Sequence, residues 1–328
     1  MNDLLKGRVA IVTGSGQGIG RAIAIGLAAQ GAKVVTNNRK PGSTGNQMLS
    51  DAQYDKLSDE KKEWYNKTQA EFNGDAETTA QAIRDMGGEA VAYFGDISKF
   101  DVAEGLIKTA IDNFGRIDIL FNVAGAFGFG EIDEISEELW DKVTSVKPKG
   151  YFNTIRFAVP YMKQQKYGRI INCTSRAFMG DVIKHAEYCA ANAGVVGLTR
   201  AAAIELREYG ITCNAFAPFA KTRAAYELEA VDMTKDKPLM VSENMQPPAF
   251  DATPTPEMIV PFLTYLAAEQ SAQVSGSVFS LAGNQIQLHQ EPIVYRTLQK
   301  EGAPWTVEEL IQTAPRSLFS DYHSIADQ

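Results

Sequence analysis

Residues 13–20 read Thr-Gly-Ser-Gly-Gln-Gly-Ile-Gly, and what flanks them decides the fold. Before them, Arg8 to Val12 is a short β-branched, apolar run. After them, Ile19, Ala22, Ile23, Gly26 and Leu27 recur on one face of a helix. A second β-branched run, Lys33 to Asn37, follows. A glycine triplet alone is weak; between a strand and a helix that leads to a second strand, it is a phosphate cradle. Gly14 allows the tight turn, Gly18 lets the backbone approach a pyrophosphate, and Gly20 lets helix pack on sheet. Ser15, Gln17 and Ile19 complete the loop. The helix N-terminus adds free N–H groups and partial positive charge.

Outward from this loop, β-branched runs alternate with helical patterns. They predict a single-domain α/β Rossmann fold over residues 1–283, a doubly wound parallel sheet of about seven strands. Further strands are expected at Ala90 to Phe94, Ile117 to Phe121, Arg169 to Cys173, Ile211 to Ala217 and Ser277 to Leu281. Helices are expected near Asp75 to Met86, Lys99 to Phe114 with Ser98 as N-cap, Ser136 to Gln165, Glu187 to Tyr209 and Thr255 to Ala268. Residues 41–74 are a polar insertion, either a solvated surface segment or a flap over the adenine end of a cofactor. Residues 219–254 contain Pro238, Pro247, Pro248 and Pro254 and read as an irregular substrate lid. Residues 284–328 form a C-terminal extension.

The formal charge of −8 argues against a nucleic-acid binder. No stretch approaches the ~20 apolar residues of a membrane span, and the first residues carry no secretory signal. Cys173, Cys189 and Cys213 lack metal spacing and read as reduced thiols, which places the chain in the cytoplasm. With His185, His289 and His323 as its histidines, the chain has little zinc-ligand material, and no metal site is assigned.

Over residues 6–285 the sequence resembles the short-chain dehydrogenase/reductase family. The carriers are TGSGQGIG, Asp96 with Ile97 in GDIS, the segment Asn122, Val123, Ala124 and Gly125, Ser175 thirteen residues before Tyr188, and the helix YCAANAGVVGLTR from Tyr188 to Arg200. The tail QIQLHQEPIVYRTLQKEGAPWTVEEL also resembles the end of the dehydrogenase part of the peroxisomal multifunctional enzymes of β-oxidation. The resemblance implies NAD(P)(H) as cofactor, with contacts from Asp96, Ile97, Asn122, Ala124, Gly125 and Tyr188. Pro218 and Thr222 match family positions at the nicotinamide amide, though Phe219 stands where the family has glycine.

A carboxylate at the end of the second strand binds the ribose diol and repels a 2′-phosphate. Here Asn38 stands in that place, followed by Arg39 and Lys40, and an arginine pairs with phosphate in bidentate fashion. NADP(H) is favoured, with NAD(H) open and Arg39 stacking over adenine as the alternative.

Reduction of a carbonyl also needs a proton, and a tyrosine serves at neutral pH only beside a cation. The family supplies that cation with Tyr-x-x-x-Lys, adds a serine that bonds the carbonyl, and takes an asparagine from the preceding long helix. This chain keeps Ser175 and Tyr188 but has Asn192 at the lysine position. The asparagine position, in Val146 to Gly150 (VKPKG), is Lys147. The two residues have exchanged places. Either Lys147 supplies the cation from the opposite helix, aimed by a kink at Pro148, or the chain is a catalytically impaired dinucleotide-binding subunit or sensor that pairs with an active homologue. A lyase or isomerase with a retained cofactor is a third possibility.

The expected substrate is a small ketone or secondary alcohol: steroid, alicyclic or acyl-thioester. Phe127, Phe129, Phe178, Met179, Phe219, Tyr226 and Met233 would form an apolar wall, or pack the lid. Arg176 and His185 would meet an anionic group or face water. The helix from Glu187 to Tyr209 carries Ala190, Ala193, Val196, Leu198, Ala201 and Ala203 on more than one face, which predicts a homodimer or homotetramer.

Overall fold

The computed structural model describes residues 3–42, 51–181, 184–232, 253–290, 292–302 and 304–321. Met233 and most of the expected lid lie outside them. The chain runs β1 (Val9–Val12), α1 (Gly18–Ala29), β2 (Lys33–Asn38), α2 (Asp51–Asp55), α3 (Asp59–Glu71), α4 (Ala76–Asp85), β3 (Ala90–Phe94), α5 (Phe100–Phe114), β4 (Ile119–Asn122), α6 (Glu137–Thr144), α7 (Tyr151–Gln165), β5 (Gly168–Cys173), α8 (Ala186–Leu206), β6 (Ile211–Phe219), α9 (Arg223–Asp232), α10 (Val260–Ala267), β7 (Val278–Ala282), β8 (Gln285–Leu288) and α11 (Val307–Thr313).

The sheet order is β3-β2-β1-β4-β5-β6-β7-β8, all parallel except the β7–β8 pair. β1 (VAIV) and β4 (ILFN) are buried throughout, as strands covered on both faces must be. One layer packs Ile23 and Leu27 of α1, Ala80 and Ile83 of α4 and Leu263 and Leu266 of α10 on the sheet. The other packs Leu106 and Ile107 of α5, Tyr151 and Ile155 of α7, and Val195 and Leu206 of α8. Strand order reverses between β1 and β4, so the crevice at their carboxyl ends is where a ligand of such a sheet binds.

Four details depart from the sequence expectations. The long helix is not continuous: a six-residue π-type turn, Ser145–Gly150, separates α6 from α7, and Lys147 is extended within it (φ −122°, ψ 128°). A residue before proline is driven out of the helical region, and Pro148 follows. Ser98 does not cap α5; Lys99 holds that position without a side-chain bond, while Ser98 N–H donates to Asp96 Oδ1 at 2.9 Å. The expected irregular stretch after β6 contains α9, since its prolines all lie beyond Asp232. An eighth strand, β8, comes from the C-terminal extension.

The described part of the insertion, residues 51–74, carries α2 and α3 and packs on α9. Leu57, Tyr65 and Phe72 form one buried cluster with Tyr226 and Ala230 of α9. Tyr226 therefore faces the insertion, not a substrate wall.

Candidate active site

The glycine loop leaves its anion-binding groups free. Gly14 and Gly18 have positive φ (66° and 54°), and a Cβ on Gly14 would stand 2.8 Å from Ala124 Cα. A Cβ on Gly20 would meet Gly14 O at 2.2 Å. Gln17 is the N-cap of α1 but its side chain does not cap the helix, and no acidic residue sits in the first turn. The N–H groups of that turn stay available to phosphate. A dinucleotide's pyrophosphate fits this cradle.

The residues assigned around the loop divide by what their side chains already do. Ser15 Oγ accepts Asn37 N–H at 2.9 Å and is buried. Asn38 Oδ1 accepts Ala76 N–H at 2.8 Å, and its amide nitrogen donates to Lys40 O at 3.1 Å, so Asn38 ties the strand end to α4. Arg39 is exposed at this edge. Asp96 makes the turn into α5, and Ile97 is buried with its carbonyl accepting from Asn153 Nδ2 at 3.0 Å. Asn122 is a strut: Oδ1 accepts from Thr154 Oγ1 at 2.7 Å, Nδ2 donates to Asn172 Oδ1 at 2.9 Å, and Asn172 reaches Thr199 Oγ1 at 3.0 Å. This buried chain links α7, β4, β5 and α8, the elements that carry or flank Tyr188 and Lys147.

Sequence reasoning missed two residues that shape the segment after β4. Thr13 Oγ1 accepts Val123 N–H (2.9 Å) and Ala124 N–H (3.1 Å), binding it to the glycine loop. The buried Tyr151 hydroxyl lies 2.9 Å from Ala124 O and 3.2 Å from Cys173 O, and burial holds its pKa well above the ordinary value. Thr13 is visible as the first letter of the motif. Tyr151 has no spacing signal, because the π-turn resets the helix phase before it.

Lys147 and Asn192 meet. Lys147 is 3% exposed, and its Nζ lies 3.4 Å from Asn192 Oδ1. Asn192 Nδ2 donates to Tyr188 O at 2.8 Å, and Thr174 Oγ1 donates to Asn192 O at 3.0 Å. The Lys147 ammonium stands 6.0 Å from the Tyr188 ring centroid and 5.7 Å from that of Tyr151. A Cβ on Gly125 would be 3.3 Å from Lys147 Cε, so the glycine makes room for the stem. Gly194 packs on Pro148 in the same way. Burial raises the pKa of the neighbouring Cys173 thiol, with the Lys147 charge acting against it. Ser175 Oγ accepts Ala177 N–H at 3.3 Å and keeps its hydroxyl proton to donate.

Beside Tyr188 stands an aromatic wall. The Phe127 ring lies 6.3 Å from Tyr188, and Phe129 lies 5.2 Å from His185. Phe178 instead packs on Val196, Ala215 and Val278 and meets His289, from the tail, edge-on at 5.1 Å. His185 does not face water: it is buried, 3.9 Å from Glu187 Oε1, and burial depresses its pKa against the opposing pull of Glu187. Arg176 pairs with Asp181 at 3.1 Å. Met179 and Phe219 are partly exposed, as are Pro218 and Thr222 at the end of β6. Thr222 Cγ2 would lie 3.8 Å from a Cβ on Gly18, which sets it against the glycine loop.

On α8, Ala190, Ala193, Gly197, Ala201 and Ile204 are exposed at helical spacing. Around the corner, a groove of about 890 Å³, lined among others by Phe152, Lys149 and Leu198, lies on this outer face and away from Tyr188. Among the described residues no helix is long and apolar enough to cross a membrane, and no group of three His, Cys, Asp or Glu is placed to hold a metal.

Residues 8–59 and 66–230 match the short chain dehydrogenase family. The chain is 30% identical to a hydroxyacyl-CoA dehydrogenase, ChsB1, of Mycobacterium tuberculosis, over 94% of this chain and 88% of that one. It is 31% identical to the mouse peroxisomal multifunctional enzyme type 2, covering 92% of this chain but 35% of that enzyme. A crystal structure of a short chain dehydrogenase from Mycobacterium avium superimposes with a TM-score of 0.74 at 32% identity, covering 96% of both chains.

Proposed function

Because the chain belongs to the short-chain dehydrogenase family and is an NAD(P)-dependent oxidoreductase, we propose that it transfers a hydride between NADP(H) and the secondary alcohol or ketone of a hydroxyacyl or oxoacyl thioester. The nicotinamide, when bound, supplies or accepts the hydride. Tyr188 gives the proton to the carbonyl oxygen in reduction and removes it in oxidation. Ser175 donates a hydrogen bond to the same oxygen. Lys147 places its ammonium beside Tyr188, where it offsets the negative charge that develops on the hydroxyl oxygen as the proton leaves. Asn192 holds the Lys147 amine with its side-chain oxygen and the Tyr188 backbone with its nitrogen. The observation that supports this exchange is the buried Lys147 Nζ, 3.4 Å from Asn192 Oδ1. An ammonium in such a place is costly unless it has work to do.

The cofactor preference rests on Arg39, exposed where a carboxylate would repel a 2′-phosphate. The substrate class rests on the aromatic rings of Phe127 and Phe129 and on the hydroxyacyl-CoA dehydrogenase among the relatives. A homo-oligomer is supported by the exposed small-residue stripe of α8.

The test follows the absorbance of reduced nicotinamide when the protein meets NADP+ with hydroxyacyl-CoA esters, the corresponding free hydroxy acids, and steroid or alicyclic alcohols. Turnover is expected with the thioesters first. Tight cofactor binding without turnover of any alcohol or ketone would reject the enzyme and leave a cofactor-binding subunit.

A further inference from the structure

The insertion and α9 stand on the two ends of the glycine loop. Thr222, just ahead of α9, lies against Gly18. The insertion rejoins the sheet at Gly74 and Asp75 against Gly16, where a Cβ would be 2.8 Å from Asp75 Cα. Above the loop the two pack on each other, and the Tyr226 hydroxyl donates to Tyr65 O at 3.0 Å.

Within this packing sits Arg223, the first residue of α9, only 6% exposed. One terminal nitrogen reaches Glu227 Oε1, one helical turn on, at 3.2 Å. Its Nε and its other terminal nitrogen have no hydrogen-bond partner. The Tyr65 hydroxyl, on a residue 3% exposed, lies beside the Tyr226 and Glu227 side chains without a well-formed hydrogen bond to either. Burial raises the Tyr65 pKa, and the charges of Arg223 and Glu227 both act on it, so the hydroxyl and the guanidinium share one buried space. Donors left unbonded in such a space are costly, and a charged one more so. Glu227 compensates the charge but leaves two nitrogens of the planar fork buried and unbonded, and an oxyanion would satisfy that geometry.

We propose that Arg223 and Tyr65 form a second phosphoryl-binding element that closes on a diphosphate oxygen of the dinucleotide from the side opposite the glycine loop. This rests on the dinucleotide-binding reading given above. It assigns the insertion a purpose: it brings Tyr65 to the cofactor and keeps water from the charged edge of Arg223. Thr222 holds the start of α9 over Gly18, so both elements address the same phosphates.

Calorimetric titration of the full chain tests this without turnover. The ligands are NADP+, adenosine 2′-monophosphate, which lacks the diphosphate, and inorganic phosphate. Arg223→Gln is expected to weaken NADP+ binding by about 10- to 100-fold, as loss of a charge-assisted hydrogen bond does, and to leave adenosine 2′-monophosphate unchanged. Equal weakening of both would make Arg223 a structural residue and overturn the proposal, as would unchanged NADP+ affinity. Phosphate binding that needs Arg223 while NADP+ binding does not would assign the site to a free anion and overturn it too. Should Arg223→Gln fail to fold, Tyr65→Phe keeps the ring. It is expected to weaken NADP+ by roughly 3- to 10-fold, and unchanged affinity again overturns the proposal. A wild-type protein that binds neither NADP+ nor NAD+ would defeat the dinucleotide reading itself, whereas failure of the variants alone defeats only this element.

Discussion

Replacing Lys147 with methionine removes a charge and little else, because the long unbranched stem is kept in its buried slot beside Gly125. The loss can be sized from geometry. At the 6.0 Å that separates the ammonium from the Tyr188 ring centroid, a unit charge in a protein environment of effective dielectric about 20 would offset full negative charge developing there in the transition state by about 3 kcal/mol. That corresponds to roughly 100-fold in rate. Stability should move the other way. The ammonium's hydrogen bond is to an amide oxygen rather than a carboxylate, so Lys147→Met should leave the melting temperature unchanged or raise it by a few degrees. The assay is steady-state turnover across pH, with thermal unfolding of the same samples. A variant with parental rate and pH profile would refute the role given to Lys147. A variant that loses rate and stability together would show the lysine to be structural.

Further outcomes follow from the same geometry. Exchanging the pair back, Lys147→Asn with Asn192→Lys, should retain measurable turnover, while Asn192→Ala alone should cost less rate than Lys147→Met; the reverse ranking would contradict the exchange. Arg39→Asp should move the ratio of NAD+ to NADP+ dissociation constants toward NAD+ by about 10-fold or more, and an unchanged ratio would remove Arg39 from the ribose edge. Ala193→Glu together with Ala201→Glu should yield monomers by light scattering at micromolar concentration; a parent already monomeric there would dismiss the oligomer. For His185, burial holds the folded pKa below the ordinary value, so the unfolded chain takes up a proton first as pH falls. Its contribution to stability is intact above about pH 6.5 and is lost as pH falls from there toward the folded value. His185→Gln should therefore flatten the acid side of the melting-temperature profile, and parallel profiles for variant and parent would contradict this.

What the sequence revealed was whatever is encoded by local spacing. The strand–glycine loop–helix unit, the parallel α/β order and the pairing of Lys147 with Asn192 all follow from motif positions. What it hid depends on backbone irregularity or on contacts between distant segments. The break at Ser145–Gly150 could be suspected from Pro148, but its phase shift, which brings Tyr151 under Ala124, could not. The motif places Asn38 at the ribose, yet its amide is engaged by Ala76 and Lys40, and only the fold reveals those partners. The i, i+4 pair of Arg223 and Glu227 was present in the sequence as an ordinary helical ion pair. Its burial comes from an insertion that starts far upstream.

The closeness of Lys147 to Asn192 also bears on how such a chain can change over generations. A lysine at both positions would put two ammonium groups about 4 Å apart in a buried space, a repulsion of about 4 kcal/mol even at an effective dielectric of 20. An asparagine at both would leave Tyr188 with no cation beside it. With the role proposed for Lys147, each single substitution toward the common arrangement would pass through a damaged protein, and epistasis would hold the exchanged state. A search that demands Tyr-x-x-x-Lys would discard this chain as defective. Descendants that inherit the exchange are recognisable by lysine before proline ahead of the second half of the long helix, together with asparagine four residues after the tyrosine.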